Sequence, residues 1–161
     1  METRRRRGRT KGHSLKLVAV FLVLVAALTA GCGGGDDGAL SESEFREQAN
    51  AVCEETLREA EAIEAPASPE DIPDYVDRLV PLVRQGLERL RALQPPADLQ
   101  EDYDQMLDET ETALASADDL STAAQEGDPG KLQEALAAGD AANQASDRLA
   151  TKLGLDECAA E

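Results

Sequence analysis

From residue 41 to residue 155, apolar side chains recur every three or four positions, which is the period of an amphipathic α-helix. The pattern divides into four segments, and none shows the strict alternation that is typical of a β-strand. The sequence therefore predicts an all-α protein. The four apolar stripes are Phe45, Ala49, Val52, Thr56, Ala60 and Ile63; Ile72, Val76, Leu79, Val83, Gly86, Leu90 and Leu93; Leu99, Tyr103, Met106, Thr110, Ala113, Ala117, Leu120 and Ala124; and Leu132, Leu136, Gly139, Asn143, Ser146, Ala150 and Leu153.

Residues at the edges of the stripes predict where the first two helices begin and end. Ser41 followed by Glu44 is a capping box, in which a hydroxyl at the helix start faces a carboxylate three residues on. The first helix is expected to end near Ala65, because prolines follow it. Asp71 can cap the second helix, and Pro81 inside that helix predicts a kink rather than two separate helices.

The remaining boundaries are marked by proline and glycine. Residues 94–96, Gln-Pro-Pro, stop the second helix, and residues 127–130, Gly-Asp-Pro-Gly, predict a turn. Asp128 at the cap and Pro129 at the first helical position predict the start of the fourth helix. Gly154 followed by Leu155 indicates its end, since a glycine there adopts a left-handed conformation and the next apolar residue packs back.

Short connections between long helices favour antiparallel neighbours. We therefore expect residues 41–161 to form an antiparallel, up-down-up-down four-helix bundle. The fourth stripe consists mostly of Gly, Ala, Ser and Asn. Such small residues indicate either a close approach of two backbones or weak packing, so a three-helix core with a loosely docked fourth helix is the alternative.

The first 31 residues differ in character from the rest. Residues 1–16 carry seven basic side chains and one acidic one, and residues 17–28 form an uninterrupted run of 12 apolar residues. That run is shorter than the roughly 20 residues that a membrane-spanning helix needs. A basic start, a short apolar core and small residues at its end are typical of a secretory signal peptide, which we assign to residues 1–31. An uncleaved signal anchor is the alternative, and either places the following residues outside the cytoplasmic membrane.

Residues 28–32, Leu-Thr-Ala-Gly-Cys, resemble the lipobox of bacterial lipoproteins, although Thr29 stands where the best-known form has leucine. The resemblance implies that Cys32 is lipidated and becomes the first residue after cleavage. A diacylglyceryl group would provide two acyl chains, enough for stable anchoring. Residues 32–40 would then be the lipidated cysteine and a flexible, glycine-rich tether. The implied location is the extracytoplasmic face of the cell membrane, with the lipid anchor as the membrane contact.

Charge excludes one class of partner. The chain has 33 acidic and 16 basic residues, a formal net charge of −17. Seven of the basic residues lie in the predicted signal peptide, so residues 32–161 have nine basic and 32 acidic residues. Nucleic-acid binding needs a basic surface that displaces counterions from phosphates. We therefore expect no nucleic-acid partner.

Cys53 and Cys158 are the only cysteines besides Cys32. In an oxidising compartment an even pair predicts a disulfide, and antiparallel helices would bring the end of the fourth helix near the start of the first. Only Phe45, Tyr75 and Tyr103 are aromatic after the leader, so the core is thin and a covalent link would stabilise it. The alternative is a pair of free thiols that bind metal or act in redox chemistry, which no Cys-x-x-Cys spacing supports.

The search for catalytic residues finds few candidates. His13, the one histidine, lies in the predicted signal peptide, so the remaining chain has no imidazole for a triad or a metal site. We expect no enzyme activity, no catalytic residue, no metal and no cofactor. Six acidic residues without a base crowd the start of the third helix; we interpret them as a solvated face, with weak cation binding as the alternative. They are Glu101, Asp102, Asp104, Asp108, Glu109 and Glu111.

Further expectations concern polar side chains on the second and third helices. Asp74–Arg78 and Arg84–Glu88 have the spacing of ion pairs within one helix. The arginine face of the second helix could also meet the acidic face of the third. Tyr75 and Tyr103 are expected in the core, with their hydroxyls at its rim.

The body resembles the small helical lipoproteins of high-GC Gram-positive (actinobacterial) organisms. The resemblance rests on residues 51–54, Ala-Val-Cys-Glu, on residues 90–96, Leu-Arg-Ala-Leu-Gln-Pro-Pro, and on residues 154–158, Gly-Leu-Asp-Glu-Cys. It implies architecture and location, not an activity. We expect a non-enzymatic interaction or structural module with a protein partner. The alternative is a ligand- or cation-binding lipoprotein, accessory to a transporter, which an apolar pocket of a few hundred Å³ near the fourth helix would favour.

Overall fold

The computed structural model describes residues 38–159. The predicted signal peptide, Cys32 and residues 33–37 of the tether lie outside the described residues. Within residues 38–159 the chain is helical and has no strand, which confirms the predicted all-α helical bundle. The helices are α1 (Glu42–Glu61), α2 (Ile72–Arg91), α3 (Gln100–Glu126) and α4 (Pro129–Leu153), and short 3₁₀ turns occupy Pro69–Asp71 and Asp156–Cys158.

The predicted caps of α1 and α4 are confirmed. The Ser41 hydroxyl accepts from the Glu44 backbone N–H at 3.4 Å, while a Glu44 carboxylate oxygen accepts from the Ser41 N–H at 3.1 Å. These bonds satisfy donors that a helix leaves unpaired in its first turn. At α4, the Asp128 carboxylate accepts from the N–H groups of Gly130 and Lys131 at 2.9 and 3.1 Å.

In the α1–α2 connection, the predicted end of α1 and the predicted side-chain cap of α2 are wrong, whereas α2 does begin directly after Asp71. α1 ends at Glu61 rather than near Ala65, because Ala65 precedes a proline and the last turn already tightens to an i→i−3 bond at Ile63. The Asp71 carboxylate does not cap α2; it accepts from the backbone N–H and the hydroxyl of Ser68 and so closes the 3₁₀ turn. α2 itself is one continuous helix, with Pro81 exposed to solvent.

α3 and α4 both end at a glycine in the left-handed conformation. Gly127 has φ of 64° and Gly154 has φ of 73°. After Gly154, the Leu155 N–H donates to the Ala150 carbonyl at 2.9 Å, and the Leu155 side chain is fully buried. This is the predicted helix stop, and it turns the chain back toward α1.

Contacts between successive helices join the start of one to the end of the other, as antiparallel neighbours do. The Leu40 N–H, just before α1, donates to the Gln94 carbonyl, just after α2, at 2.9 Å. The Tyr103 hydroxyl, in the first turn of α3, donates to the carbonyl of the penultimate residue of α2. Asp102 in α3 pairs with Lys152 at the end of α4, at 2.8 Å. Leu40, assigned to the tether by the sequence, packs against the core.

The largest fully buried side chains lie at the end of the bundle where α1 begins and α4 ends, and the core continues along α2 to Val80 and Val76. The Phe45 and Tyr103 rings meet edge to face with centroids 4.8 Å apart. The expectation of a Tyr103 hydroxyl at the rim is wrong: the residue is 1% exposed and donates to the Leu90 carbonyl at 2.8 Å. Burial raises the pKa of Tyr103. The largest fully buried side chains are Tyr103, Phe45, Met106, Leu153 and Leu155.

α4 packs closely along α3, which argues against the alternative of a three-helix core with a loosely docked fourth helix. A Cβ built on Gly139 would lie 3.5 Å from the Ser116 Cβ, so the small residues mark a close approach of the two helices. The predicted α4 stripe is wrong in part, since Leu136 is 50% exposed and Asn143 is exposed. Because α3 is the helix against which α4 packs, only a narrow seam is buried. That seam runs through Ala135, Ala142 and Ala150.

Candidate functional site

The C-terminal segment is fastened along α1. Cys53 in α1 and Cys158 in the last 3₁₀ turn form a disulfide with their Cα atoms 5.0 Å apart, which confirms the predicted pair. The Arg46 guanidinium donates to the carbonyl of the last residue of α4 at 2.7 Å. The Asn50 side chain accepts from the Glu157 N–H at 3.1 Å. α1 and α4 share no extensive interface among the described residues, and this segment packs between them.

An apolar cleft of about 140 Å³ lies beside the disulfide and is open to solvent on one side. All four helices contribute to it, and so does each cysteine of the disulfide. No acidic or basic side chain is part of its wall. α1 contributes Thr56, Leu57 and Ala60, α2 contributes Val83, Gly86, Leu87 and Leu90, α3 contributes Met106 and Thr110, and α4 contributes Ser146.

The three hydroxyl groups in this wall are already hydrogen-bonded. Thr56 Oγ1 donates to the Val52 carbonyl at 2.8 Å, and Thr110 Oγ1 donates to the Met106 carbonyl at 2.9 Å. Thr110 Oγ1 and Ser146 Oγ lie 3.1 Å apart and share a further bond. The wall therefore offers an occupant little beyond apolar contact.

Gly86 lets α1 and α2 approach each other at the base of the cleft. A Cβ built on Gly86 would lie 2.5 Å from Thr56 Oγ1 and 3.0 Å from Thr56 Cγ2. The sequence placed Gly86 on the α2 stripe, and the structure shows why that position takes glycine: the neighbouring helix leaves no room for a side chain.

Leu57 forms part of the cleft and is 46% exposed. Leu57 and Leu136 are the large apolar side chains exposed on the described surface, and Leu136 is not part of the cleft. Glu54 and Glu61 lie three residues before and four residues after Leu57, so all three share one face of α1. The apolar stripe predicted for the first helix does not include Leu57. The signal available in the sequence was a leucine one residue off that stripe, between two acidic residues on its own face of the helix.

Two of the four arginines of α2 face acids on α3, as the sequence suggested, whereas Arg89 pairs with Glu55 of α1. Arg91 pairs with Glu111 at 2.7 Å, and Arg84 lies 3.9 Å from Asp118. The prediction that Arg84 pairs with Glu88 is therefore wrong. Because α3 runs antiparallel to α2, two acidic residues seven positions apart on α3, Asp118 and Glu111, lie opposite Arg84 and Arg91. Arg78, likewise, donates to the backbone carbonyl of Asp74 rather than to its carboxylate. These exposed pairs orient the helices and add little stability.

The acidic start of α3 is partly engaged in surface contacts. Asp102 pairs with Lys152, and the Asp104 carboxylate accepts from the Gln100 side chain at 2.8 Å. Within residues 38–159, no group of three or more acidic, histidine or cysteine side chains is arranged to hold a metal ion. None of the helices in this part of the chain is long and apolar enough to cross a membrane.

No protein-family model matches the chain, and comparison with curated proteins and with solved structures found no similar protein.

Proposed function

We propose that this protein is a lipid-anchored, extracytoplasmic lipoprotein of the small actinobacterial type, and that its helical bundle is a non-enzymatic interaction module. The half-open apolar cleft beside Leu57, on an otherwise acidic surface, carries the proposal. Apolar residues that remain exposed at the edge of a concave site are typical of surfaces that bind a partner.

The size and chemistry of the cleft favour a protein partner over a substrate. Ligand pockets commonly enclose about 300–1,000 Å³, whereas this cleft measures about 140 Å³ and is open on one side. Its wall has no side chain that could serve as a general acid or base, and the two cysteines are joined to each other. A site of this kind can hold a side chain but has no group to react with it.

Two features support the anchored, extracytoplasmic part of the proposal. Disulfides form and persist in oxidising compartments outside the cytosol, and the Cys53–Cys158 pair is bonded. Leu40 packs at the end of the bundle where α1 begins. Residues 33–39 would therefore connect the lipid on Cys32 to that end of the domain, over at most about 25 Å.

Metabolic labelling tests the anchor. Cells that express the tagged full chain are grown with an alkyne analogue of palmitate, and the membrane and soluble fractions are separated. We expect the wild-type chain to be labelled and to sediment with membranes, and Cys32→Ser to lose both properties. Cys53→Ser is the matched control and should keep the label. An unlabelled wild-type chain in the cytosol, with thiols open to alkylation, would contradict the proposal.

Site-specific crosslinking in intact cells tests the interaction module. A photoreactive amino acid replaces Leu57 in one variant and Leu136 in another, because both positions are exposed and only the first lies at the cleft. We expect a discrete adduct, reproducible in mass, from position 57 and none from position 136. The same diffuse adducts from both positions would argue against a partner at the cleft.

A second candidate function is binding of a small, neutral apolar ligand, as in a lipoprotein accessory to a transporter. One observation favours it: an apolar cavity of about 150 Å³ is known to be large enough for benzene, and this cleft has a similar volume. A ligand that binds only the native state raises the melting temperature. A saturable rise with benzene or indole that is abolished by the cleft-filling variant Ala60→Leu would support this candidate, and an unchanged melting temperature would remove it.

A further inference from the structure

We infer that the cleft receives one apolar side chain of a positively charged peptide segment. This inference rests on the proposed function, and it goes further by naming the chemistry of the partner and the residues of α1 that would recognise it.

The volume of the cleft fixes the size of the inserted group. About 140 Å³ is the space of a single leucine-sized or phenyl-sized group and is too little for a long acyl chain. The hydroxyls of Thr56, Thr110 and Ser146 are already engaged. Inserting a charged or amide-bearing side chain would therefore leave its polar atoms without partners, which is costly.

The charge around the cleft indicates that the partner residues on either side of the inserted side chain are basic. Glu54 and Glu61 lie on the same face of α1 as Leu57, and both are exposed. Within residues 38–159 neither makes an ion pair. Arg58 lies four residues after Glu54 and three before Glu61 and so neighbours both on the helix surface, but within residues 38–159 it forms no ion pair with either. Residues 38–159 contain 29 acidic and nine basic residues, so the wider field also attracts cations.

The same charges disfavour the other possible occupants. A second copy of this domain would bring a further excess of 20 negative charges against the first. A fatty acid would bring a carboxylate to a domain with an excess of negative charge, and no basic side chain lies in the wall of the cleft to receive it. An anionic membrane surface is repelled for the same reason. A basic segment with one apolar side chain complements both the apolar wall of the cleft and the acidic surface around it.

A synthetic peptide provides the probe. It has a central leucine flanked on each side by two lysines in an alanine background, and its binding to the purified oxidised domain is followed by fluorescence anisotropy. Matched peptides replace the leucine with alanine, the lysines with glutamine, or the lysines with glutamate. We expect the first peptide to bind saturably. The peptide with alanine in place of the leucine should bind about tenfold more weakly. Affinity should fall as salt is added, because the flanking contacts are exposed ion pairs.

Variants of the protein locate the site. Leu57→Ser should weaken binding by about tenfold, while Leu136→Ser, with an equally exposed leucine elsewhere, should leave it unchanged. Glu54→Gln combined with Glu61→Gln should reduce the affinity and its salt dependence, and the control pair Glu88→Gln with Glu134→Gln should alter the salt dependence less. Ala60→Leu fills the cleft from within and should block binding, which guards against the possibility that Leu57→Ser unfolds. Circular dichroism checks that each variant is folded.

Several results would overturn the inference: no binding of the lysine peptide, equal binding of the glutamate peptide, or equal loss with Leu57→Ser and Leu136→Ser. Concentration-dependent dimerisation that Leu57→Ser abolishes would assign the cleft to a second copy instead. The outcome for the proposed function is separate. If crosslinks at position 57 and labelling at Cys32 persist while the peptides fail, the protein remains an anchored interaction module and only the chemistry of its partner is wrong.

Discussion

Replacing Gly86 with alanine tests the closest approach between two helices of this bundle. The new Cβ would lie 2.5 Å from Thr56 Oγ1, 3.0 Å from Cγ2 and 3.3 Å from Cβ. All three atoms belong to one short, β-branched side chain whose hydroxyl already donates to the Val52 carbonyl. Rotation of Thr56 cannot relieve the clash, because its Cβ would stay within contact and the hydroxyl would lose its bond. α1 and α2 must therefore move apart.

The expected magnitude follows from two opposing effects. Overpacking a core position costs about 1–3 kcal/mol, whereas alanine is favoured over glycine inside a helix by about 1 kcal/mol. Gly86→Ala should therefore lower the free energy of unfolding by up to about 2 kcal/mol. Gly139→Ala is the matched control, since its Cβ would make an ordinary contact with Ser116 at 3.5 Å. That variant should be neutral or more stable by up to about 1 kcal/mol.

Urea denaturation followed by far-ultraviolet circular dichroism measures both variants under identical conditions. The double variant with Thr56→Ala completes a cycle, because it removes the atoms that the new methyl group would meet. Gly86→Ala is expected to lower the free energy of unfolding less in the Thr56→Ala background than in the wild type. Equal changes for Gly86→Ala and Gly139→Ala, or a cycle without coupling, would refute the close approach.

Three further predictions concern the disulfide, the buried tyrosine and the first cap. Replacing both Cys53 and Cys158 by serine should lower stability by up to about 4–5 kcal/mol on the chain-entropy account of a loop this long, measured by urea denaturation. Tyr103→Phe should lower the free energy of unfolding by about 1 kcal/mol. Because burial raises the Tyr103 pKa, this advantage of the wild type should hold below the ordinary pKa of 10.0 and shrink as the pH rises above that value. Ser41→Ala should lower the free energy of unfolding by about 1 kcal/mol. Because hydrogen bonds from Ser41 lower the Glu44 pKa, the stability of the wild type should fall more than that of the variant as the pH is lowered below 4.5.

Local features of the fold could be read from the sequence because each depends on a few neighbouring residues. Ser41 with Glu44, Asp128 with the turn before α4, and Gly154 all act within their own helix end, and all were predicted. The role of Asp71 was predicted wrongly, because its carboxylate can accept hydrogen bonds either at the start of α2 or from Ser68, and the bond from Ser68 forms. Such a choice depends on where the preceding chain lies, which periodicity does not reveal.

Burial on α4 depends on its neighbours, so periodicity alone assigned it poorly. Leu136 lies on the apolar stripe predicted for α4 and is nevertheless half exposed, whereas Ala135, which lies off that stripe, is buried. α4 has one extensive helix partner, α3, and a single neighbour covers a narrower face than two would. The prediction assumed a closed bundle, in which α1 would have covered the other side of α4.

The cleft arises from the same open seam. α1 meets α4 through the C-terminal segment, and the last 3₁₀ turn fills the space between them only as far as Cys158, opposite Cys53. One turn further along α1, no described residue of that segment covers Leu57, which is half exposed. No stripe in the sequence could reveal this, because it is set by where a 105-residue loop is closed. The disulfide thus closes the fold beside the place where the bundle stays open, which is why sequence patterns did not predict the cleft.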